Sequence, residues 1–390
     1  MNIPQASRLD NVSTYYFADK LREVARLQAS GRDIINLGIG SPDLPPHPDV
    51  IAALHRASLS DAHHGYQSYR GIPELRNAFA QWYERAYSVR LDAEKEILPL
   101  IGSKEGIMHI SMAFLGAGDQ VLVPNPGYPT YSAAAKLAGA EAIHYDLFEE
   151  NRWFPNLEAL AKSDLTKVKI MWINYPHMPS GARPTPELFS SLVAFAKKHG
   201  ILLCHDNPYN SILNPEPMSI FSVEGSKEVA LELNSLSKTF NMAGWRIGML
   251  AGNERIIDTV LKFKSNMDSG MFKPLQLAAV VALQSGIEWT NYLNGIYGER
   301  QKVAVDILEN LGCEVGKGQS GLFGWGKIPD GLHNAEQLTD HLLNEISVFI
   351  VPGSVFGSNG ARYVRISLCA PVELLESALG RVANAKSLVQ

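Results

Sequence analysis

A chain of 390 residues, 46% hydrophobic and 19% charged, has room for a large buried core and for two domains. Its formal net charge of -5 argues against nucleic acid or an anionic membrane as the main partner, although a local cationic pocket for a small anion remains compatible with it. The start MNIPQASRLD lacks the pattern of a secretory signal, and there is no long apolar run of membrane-spanning type. Cys204, Cys313 and Cys369 lie far apart with no CxxC, so a cytoplasmic protein with reduced, buried thiols is expected.

In chain order, Phe17, Leu21, Val24 and Leu27 recur at helical spacing over 14–29. A second helix is expected over 73–87. Pro73 suits its first turn, where the missing N–H would be unpaired anyway, and Leu75, Phe79 and Trp82 share a face. His63 and His64 are adjacent rather than at ligand spacing, so they read as surface residues and no metal site is expected. LPLIGSKEGIMHI runs from a strand through Gly102 and Ser103 into a helix whose free N–H groups form an anion site. The chain has no GxxxxGK[ST] and no GxSxG, which removes a P-loop and a nucleophile elbow.

The middle of the chain reads as successive βαβ units. Residues 168–173 (VKIMWI) make a short buried strand, and Thr185 and Pro186 open a helix that Gly200 stops. The strands 201–205 and 229–233 follow, which gives a covered parallel sheet. Ligands of such sheets lie beyond the carboxyl ends of the strands, where Asn174, Asp206 and Ser235–Lys238 should converge. After about residue 285 the pattern changes. A helix over 288–311, strands near 322–327, 347–351 and 362–368, and helices over 334–345 and 372–388 suggest a smaller α+β domain. The boundaries expected are 1–45 for an N-terminal arm, 46–285 for the large domain and 286–390 for the small one.

Most lysines are solvated surface charges, but Lys238 follows a strand end among small hydroxyl residues. A desolvated lysine beside another cation has a lowered pKa and attacks aldehydes. Ser235, Ser237 and Arg246 could bind a phosphate in the same place. Asp206 is otherwise a turn former, but it could also keep a pyridine nitrogen protonated, and Tyr209 could donate to a phenolic oxygen on that ring.

These residues lie within a series of motifs: NLGIGSPD (36–43), HGYQSYRGIPELR (64–76), GSKEGI (102–107), PNPGYPTY (124–131), NYPHMPSG (174–181), HDNPY (205–209), SLSKTFNMAGWRIG (235–248) and RYVRISL (362–368). In order and spacing the chain resembles the class I/II aminotransferases of the aspartate aminotransferase fold, the type I fold of pyridoxal-phosphate enzymes. It looks most like the branch with LL-diaminopimelate, alanine and aspartate aminotransferases.

The resemblance implies an α/β fold with a mostly parallel, seven-stranded-type sheet covered by helices, and pyridoxal 5'-phosphate as cofactor. It also implies amino-group transfer between an L-amino acid and a 2-oxo acid by ping-pong half-reactions. Lys238 would form the Schiff base and shuttle the proton, Asp206 would pair with the ring nitrogen, Tyr209 would bond the phenolic oxygen, and Tyr128 would stack on the ring. Ser103, Lys104, Ser235, Ser237 and Arg246 would surround the phosphate. Tyr66 would reach the phosphate of a neighbouring subunit in a homodimer. Arg365 would grip the substrate carboxylate, which Gly40 lets the backbone approach, and Tyr15 is a candidate for the substrate side chain. Arg362 lies on the opposite face of the Arg365 strand by period-two alternation.

One position departs from the family pattern. Where the motif carries an asparagine near the phenolic oxygen, this chain has Met178, and a thioether is no amide donor. The Schiff base should then lean on Tyr209 and titrate at higher pH, with Asn174 as a substitute donor. The alternatives are a same-fold lyase or decarboxylase, and a non-catalytic regulator. The aminotransferase pattern begins near residue 14, so no DNA-binding domain is expected before it.

Overall fold

The computed structural model describes residues 3–10, 12 and 16–385, apart from the side chains of Phe17 and Ala18. A seven-stranded sheet runs, in spatial order, through Ile97–Leu100, Gly248–Gly252, Ala230–Ser235, Leu202–Asp206, Val168–Asn174, Gln120–Asn125 and Glu141–Asp146. Gly248–Gly252 is antiparallel to both its neighbours, and the remaining pairings are parallel.

Both faces of this sheet are covered, and the strand sequences show it. Ile170 and Trp172 enter one apolar core with Ile107, Ile110 and Tyr131. Met171 and Ile173 enter the other, with Phe189 and Leu192. Neighbouring residues thus go to opposite faces, so a doubly covered strand is apolar throughout rather than alternating. The helix Pro186–His199 is held at its ends as expected: the Thr185 side chain accepts from the Leu188 N–H, and Gly200 closes it at φ 67°.

A four-stranded antiparallel sheet joins Val351–Pro352, Tyr363–Ser367, Phe323–Lys327 and Glu314–Val315. The strand expected over 347–351 is divided. Val348–Phe349 pairs in parallel with Ile35–Asn36, and Val351–Pro352 belongs to the four-stranded sheet. The N-terminal segment is thereby tied to the C-terminal part of the chain. The first helix is described over Tyr16–Ala29, and residues 14 and 15 of its expected span lie outside the described residues; the last ends at Asn384 rather than 388, of which 386–388 also lie outside them. Among the described residues no helix is long and apolar enough to cross a membrane.

The sheet also buries a polar network. Glu232 and His205 face each other in register on adjacent strands, both fully buried. Glu232 Oε1 accepts from Tyr83 OH at 2.6 Å, while Oε2 meets His205 Nδ1 at 2.9 Å and accepts from the Ile220 N–H at 2.8 Å and Ser219 Oγ at 2.9 Å. His205 Nε2 reaches the Tyr175 carbonyl at 2.9 Å. Removing a carboxylate from so many buried donors leaves each without a partner. Glu232→Ala should therefore lose about 3–5 kcal/mol of unfolding free energy, read as a lower urea midpoint. A midpoint equal to that of the parent protein would mean that the network contributes little.

Candidate active site

The carboxyl ends of the central strands open into a cleft of about 580 Å³. It is lined by Gly40, Ser103, Lys104, Tyr128, Asn174, Met178, Asp206, Tyr209, Ser235, Ser237, Lys238, Arg246 and Arg365, all singled out from the sequence. Two sequence candidates are not among them. Tyr66 is 93% exposed on a surface loop, and Tyr15 lies outside the described residues.

Lys238 sits on the single turn Leu236–Thr239, which follows directly from the strand Ala230–Ser235. Ser235 caps this turn: its hydroxyl accepts from the Ser237 N–H at 3.2 Å. The Lys238 ammonium donates to the Gly40 carbonyl. Burial holds its pKa below the usual lysine range. Cys369 opposes that shift, and the cations Arg365 and Arg246 add to it.

Asp206 ends the strand Leu202–Asp206. Oδ2 accepts from Tyr131 OH at 2.8 Å, whereas Oδ1 is buried without a hydrogen-bond partner among the described residues. Burial pushes the carboxyl up to about 6, against the Tyr131 hydrogen bond and His205. Tyr131 is itself fixed, stacked on Trp172 at 4.9 Å and 7°. Asn174 joins two loops, since Nδ2 donates to the Asp206 carbonyl at 2.6 Å and Oδ1 accepts from the Met178 N–H at 2.7 Å. One N–H and the carbonyl of its amide thus hold backbone, which leaves one N–H to serve as the substitute donor expected of Asn174. Burial raises the pKa of Tyr209, so the phenol is a neutral donor.

The anion site expected at Gly102–Ser103 takes shape around Arg246. Gly102, at φ 87°, precedes the helix Ser103–Phe114, and a Cβ there would fall 2.2 Å from the Arg246 guanidinium. The guanidinium bonds Ser237 Oγ at 3.4 Å and the Ala243 carbonyl at 2.8 Å. Burial and Arg246 together lower the Lys104 pKa. A helix N-terminus, a lysine and an arginine thus meet at one end of the cleft, as a phosphate requires.

At the other end Arg365 reaches the Gly38 carbonyl at 2.9 Å and the Met178 sulfur at 3.5 Å. Its guanidinium lies over the Phe323 ring at 3.9 Å and the Phe356 ring at 4.6 Å from the centroids. Arg362 points away, toward the Leu332, Ile328 and Pro329 carbonyls, as strand alternation requires.

Sequence reasoning missed several of the lining residues. Tyr131 could have been found from its motif, because YPTY places two tyrosines near the start of one helix, only one of which was assigned. Phe323, Phe356, Leu21 and Ile39 carry no polar signal and read simply as core.

A buried lysine, an unpaired carboxylate oxygen and a cationic anion site in one cleft match the three handles of a pyridoxal ring: its aldehyde, its basic nitrogen and its phosphate. Comparisons with known proteins agree. The family described as aminotransferase class I and II matches residues 32–382. The LL-diaminopimelate aminotransferase of Dehalococcoides mccartyi is 40% identical over 98% of this chain and 99% of its own. That of Aquifex aeolicus is 40% identical over 98% and 99%. Among solved structures, apo-BacF from Bacillus subtilis superposes with a TM-score of 0.95 at 38% identity, covering all of both chains. A Thermus thermophilus aspartate aminotransferase mutant superposes at 0.90 with 25% identity, over 98% of this chain and 100% of its own. The chain belongs to the class I and II aminotransferases, and is a pyridoxal-phosphate-dependent transaminase of the aspartate aminotransferase fold.

Proposed function

We propose that Lys238, Asp206 and Tyr209 carry the transamination, moving an amino group between an L-amino acid and a 2-oxo acid in two half-reactions on one site. The observation that carries this reading is the buried Lys238 amine sharing a cleft with the unpaired Asp206 Oδ1. When bound, the cofactor supplies a carbonyl for the lysine and an electron-withdrawing ring. The protein supplies the rest. Asp206 holds a positive charge at the ring nitrogen, and Tyr131 keeps that carboxylate aimed. Tyr209 would donate to the phenolic oxygen, and Tyr128, Asn174 and Met178, which line the same cleft, would hold the ring. Ser103, Lys104, Ser235, Ser237 and Arg246 hold the phosphate. The Lys238 amine, desolvated and therefore less basic, takes and returns the proton at the substrate Cα. Arg365 fixes the substrate carboxylate near Gly40.

The same reading includes a homodimer in which Tyr66 reaches the neighbouring phosphate. Its support is the exposure of Tyr66, Tyr69, Met267 and Phe272, on two segments that touch where His64 meets the Phe272 ring. Tyr15 stays a candidate for the substrate side chain. We also propose the boundaries 1–45, 46–285 and 286–390. In their favour, the seven-stranded sheet falls within 97–252 and the four-stranded sheet within 314–367. A cytoplasmic location suits three free cysteines.

Three measurements test these roles. Holoenzyme mixed with L-amino acids should lose the lysine-linked visible spectrum and gain that of the amine form. Lys238→Ala should lack the lysine-linked spectrum altogether, and a variant that retains it would remove Lys238 from this role.

Asp206 gives a test with a sign. Without cofactor, its carboxyl is shifted from 3.8 to about 6, so burial disfavours the charged form. Stability that is full below about pH 4 is lost as pH rises through 6, by up to about 3 kcal/mol. Cofactor-free Asp206→Asn should therefore unfold at a higher denaturant midpoint than cofactor-free parent at pH 8, yet bind pyridoxal phosphate more weakly. A less stable apo variant at pH 8 would contradict the assignment.

Met178 provides the third. Its sulfur gives the phenolic oxygen no N–H donor, so Tyr209 acts there without an amide from residue 178. Met178→Asn should move the pH titration of the Lys238-linked spectrum downward. An unchanged midpoint would show that residue 178 has no part in setting it.

A further inference from the structure

Once the cofactor and the α-carboxylate are given their residues, the rest of the cleft lining is uncharged and mostly apolar. The charged residues lining the cleft, among the described residues, are Lys104, Asp206, Lys238, Arg246 and Arg365. Each already has a place at the phosphate, the ring nitrogen, the lysine linkage or the α-carboxylate. What remains, with Met178, is Leu21, Ile39, Phe323 and Phe356, together with Pro208, Ala243 and one hydroxyl residue, Ser41, none of them charged. Met178, Phe323 and Phe356 are buried and form the wall against which Arg365 lies.

Leu21 is the informative member. It stands on the helix Tyr16–Ala29, whose nearby charges are engaged with one another or elsewhere. Lys20 pairs with Glu23 at 2.9 Å and Asp340 at 3.3 Å, and Arg22 pairs with Asp19. Leu21 itself lines the cleft while staying 39% exposed. An apolar side chain left open at the mouth of a site gains most from covering by another apolar group.

We propose that the preferred amino donor has a bulky, uncharged apolar side chain, packed between Leu21 and Ile39 and bounded by Phe323, Phe356 and Met178. This inference rests on the transaminase reading above. A donor with a distal carboxylate or ammonium, such as glutamate or LL-diaminopimelate, would bring a charge to this apolar surface and lose hydration there without gaining a counter-ion from this chain.

The test uses dimeric holoenzyme, so any group supplied by a second subunit is present. The rate of conversion to the amine form, divided by the half-saturating concentration, is measured for L-phenylalanine, L-leucine, L-glutamate and LL-diaminopimelate. Phenylalanine and leucine should exceed both charged donors by about tenfold or more. The binding of two unreactive carboxylates, 3-phenylpropionate and glutarate, is measured by calorimetry and should rank the same way. Leu21→Arg should lower the phenylalanine value about tenfold and raise the glutamate value. Preference for glutamate or LL-diaminopimelate, or a ranking that Leu21→Arg leaves unaltered, would overturn the proposal. If no amino acid reacts, the transaminase reading is what fails, and the ranking of the two carboxylates still decides the character of the pocket.

Discussion

The site depends on one buried carboxylate that the protein satisfies only halfway. Asp206 sits at the end of a central strand with Oδ2 held by Tyr131 and Oδ1 left open toward the cleft. A buried charge without a partner is costly, and burial accordingly raises the pKa of this carboxyl in the protein alone. The open oxygen becomes favourable only when a cationic ring nitrogen is placed against it. The neighbouring elements serve that placement. Tyr131 is fixed by stacking on Trp172, and Asn174 fixes the backbone of Asp206. On the other face of the same strand, His205 and Glu232 lock the adjacent residue to the next strand.

The rest of the cleft carries the opposite imbalance. Lys104, Lys238, Arg246 and Arg365 face the single carboxylate Asp206 among the described lining residues. Burial and mutual repulsion lower the pKa of both lysines. A cleft with such an excess of cations, and one open acceptor at its floor, is complementary to an anionic ligand with a cationic ring. Burial, with this repulsion added, suits Lys238 to the proton-carrying role proposed for it. An ammonium in water holds its proton too tightly to shuttle it, whereas one that is desolvated beside two arginines releases it more readily.

Much of this was legible in the sequence because it depends on chain direction and strand ends. Once 168–173, 201–205 and 229–233 read as successive parallel strands, Asn174, Asp206 and Ser235–Lys238 had to meet at one edge of the sheet. Thr185, Pro186 and Gly200 marked a helix by cap chemistry that acts locally. What local patterns could not show was pairing at a distance. The segment 347–351 read as one strand but divides between two sheets, because Ile35–Asn36 takes its first part from more than three hundred residues away. Apolar lining was hidden for a related reason. Phe323 and Phe356 look like any core phenylalanine until Arg365 is seen between them. Asn174 was identified as a site residue, but its amide bonds backbone on both sides, which only coordinates reveal.

The substitution at Met178 and the apolar surround of Arg365 belong to one physical feature. An amide at residue 178 could offer an N–H to the cofactor or a carbonyl to the guanidinium. The thioether offers neither strong donor nor strong acceptor, and beside it Arg365 meets the Gly38 carbonyl and two aromatic faces. Aromatic faces attract a guanidinium without fixing its two N–H edges, whereas a carbonyl fixes one. In the role proposed for Arg365, the carboxylate of a bound amino acid would add a directional, two-pronged partner. Low polarity strengthens that ion pair and, by the same means, penalises any second charge on the ligand that has no partner. On the roles proposed here, the wall that would strengthen the α-carboxylate clamp is also the wall that would select against a charged side chain.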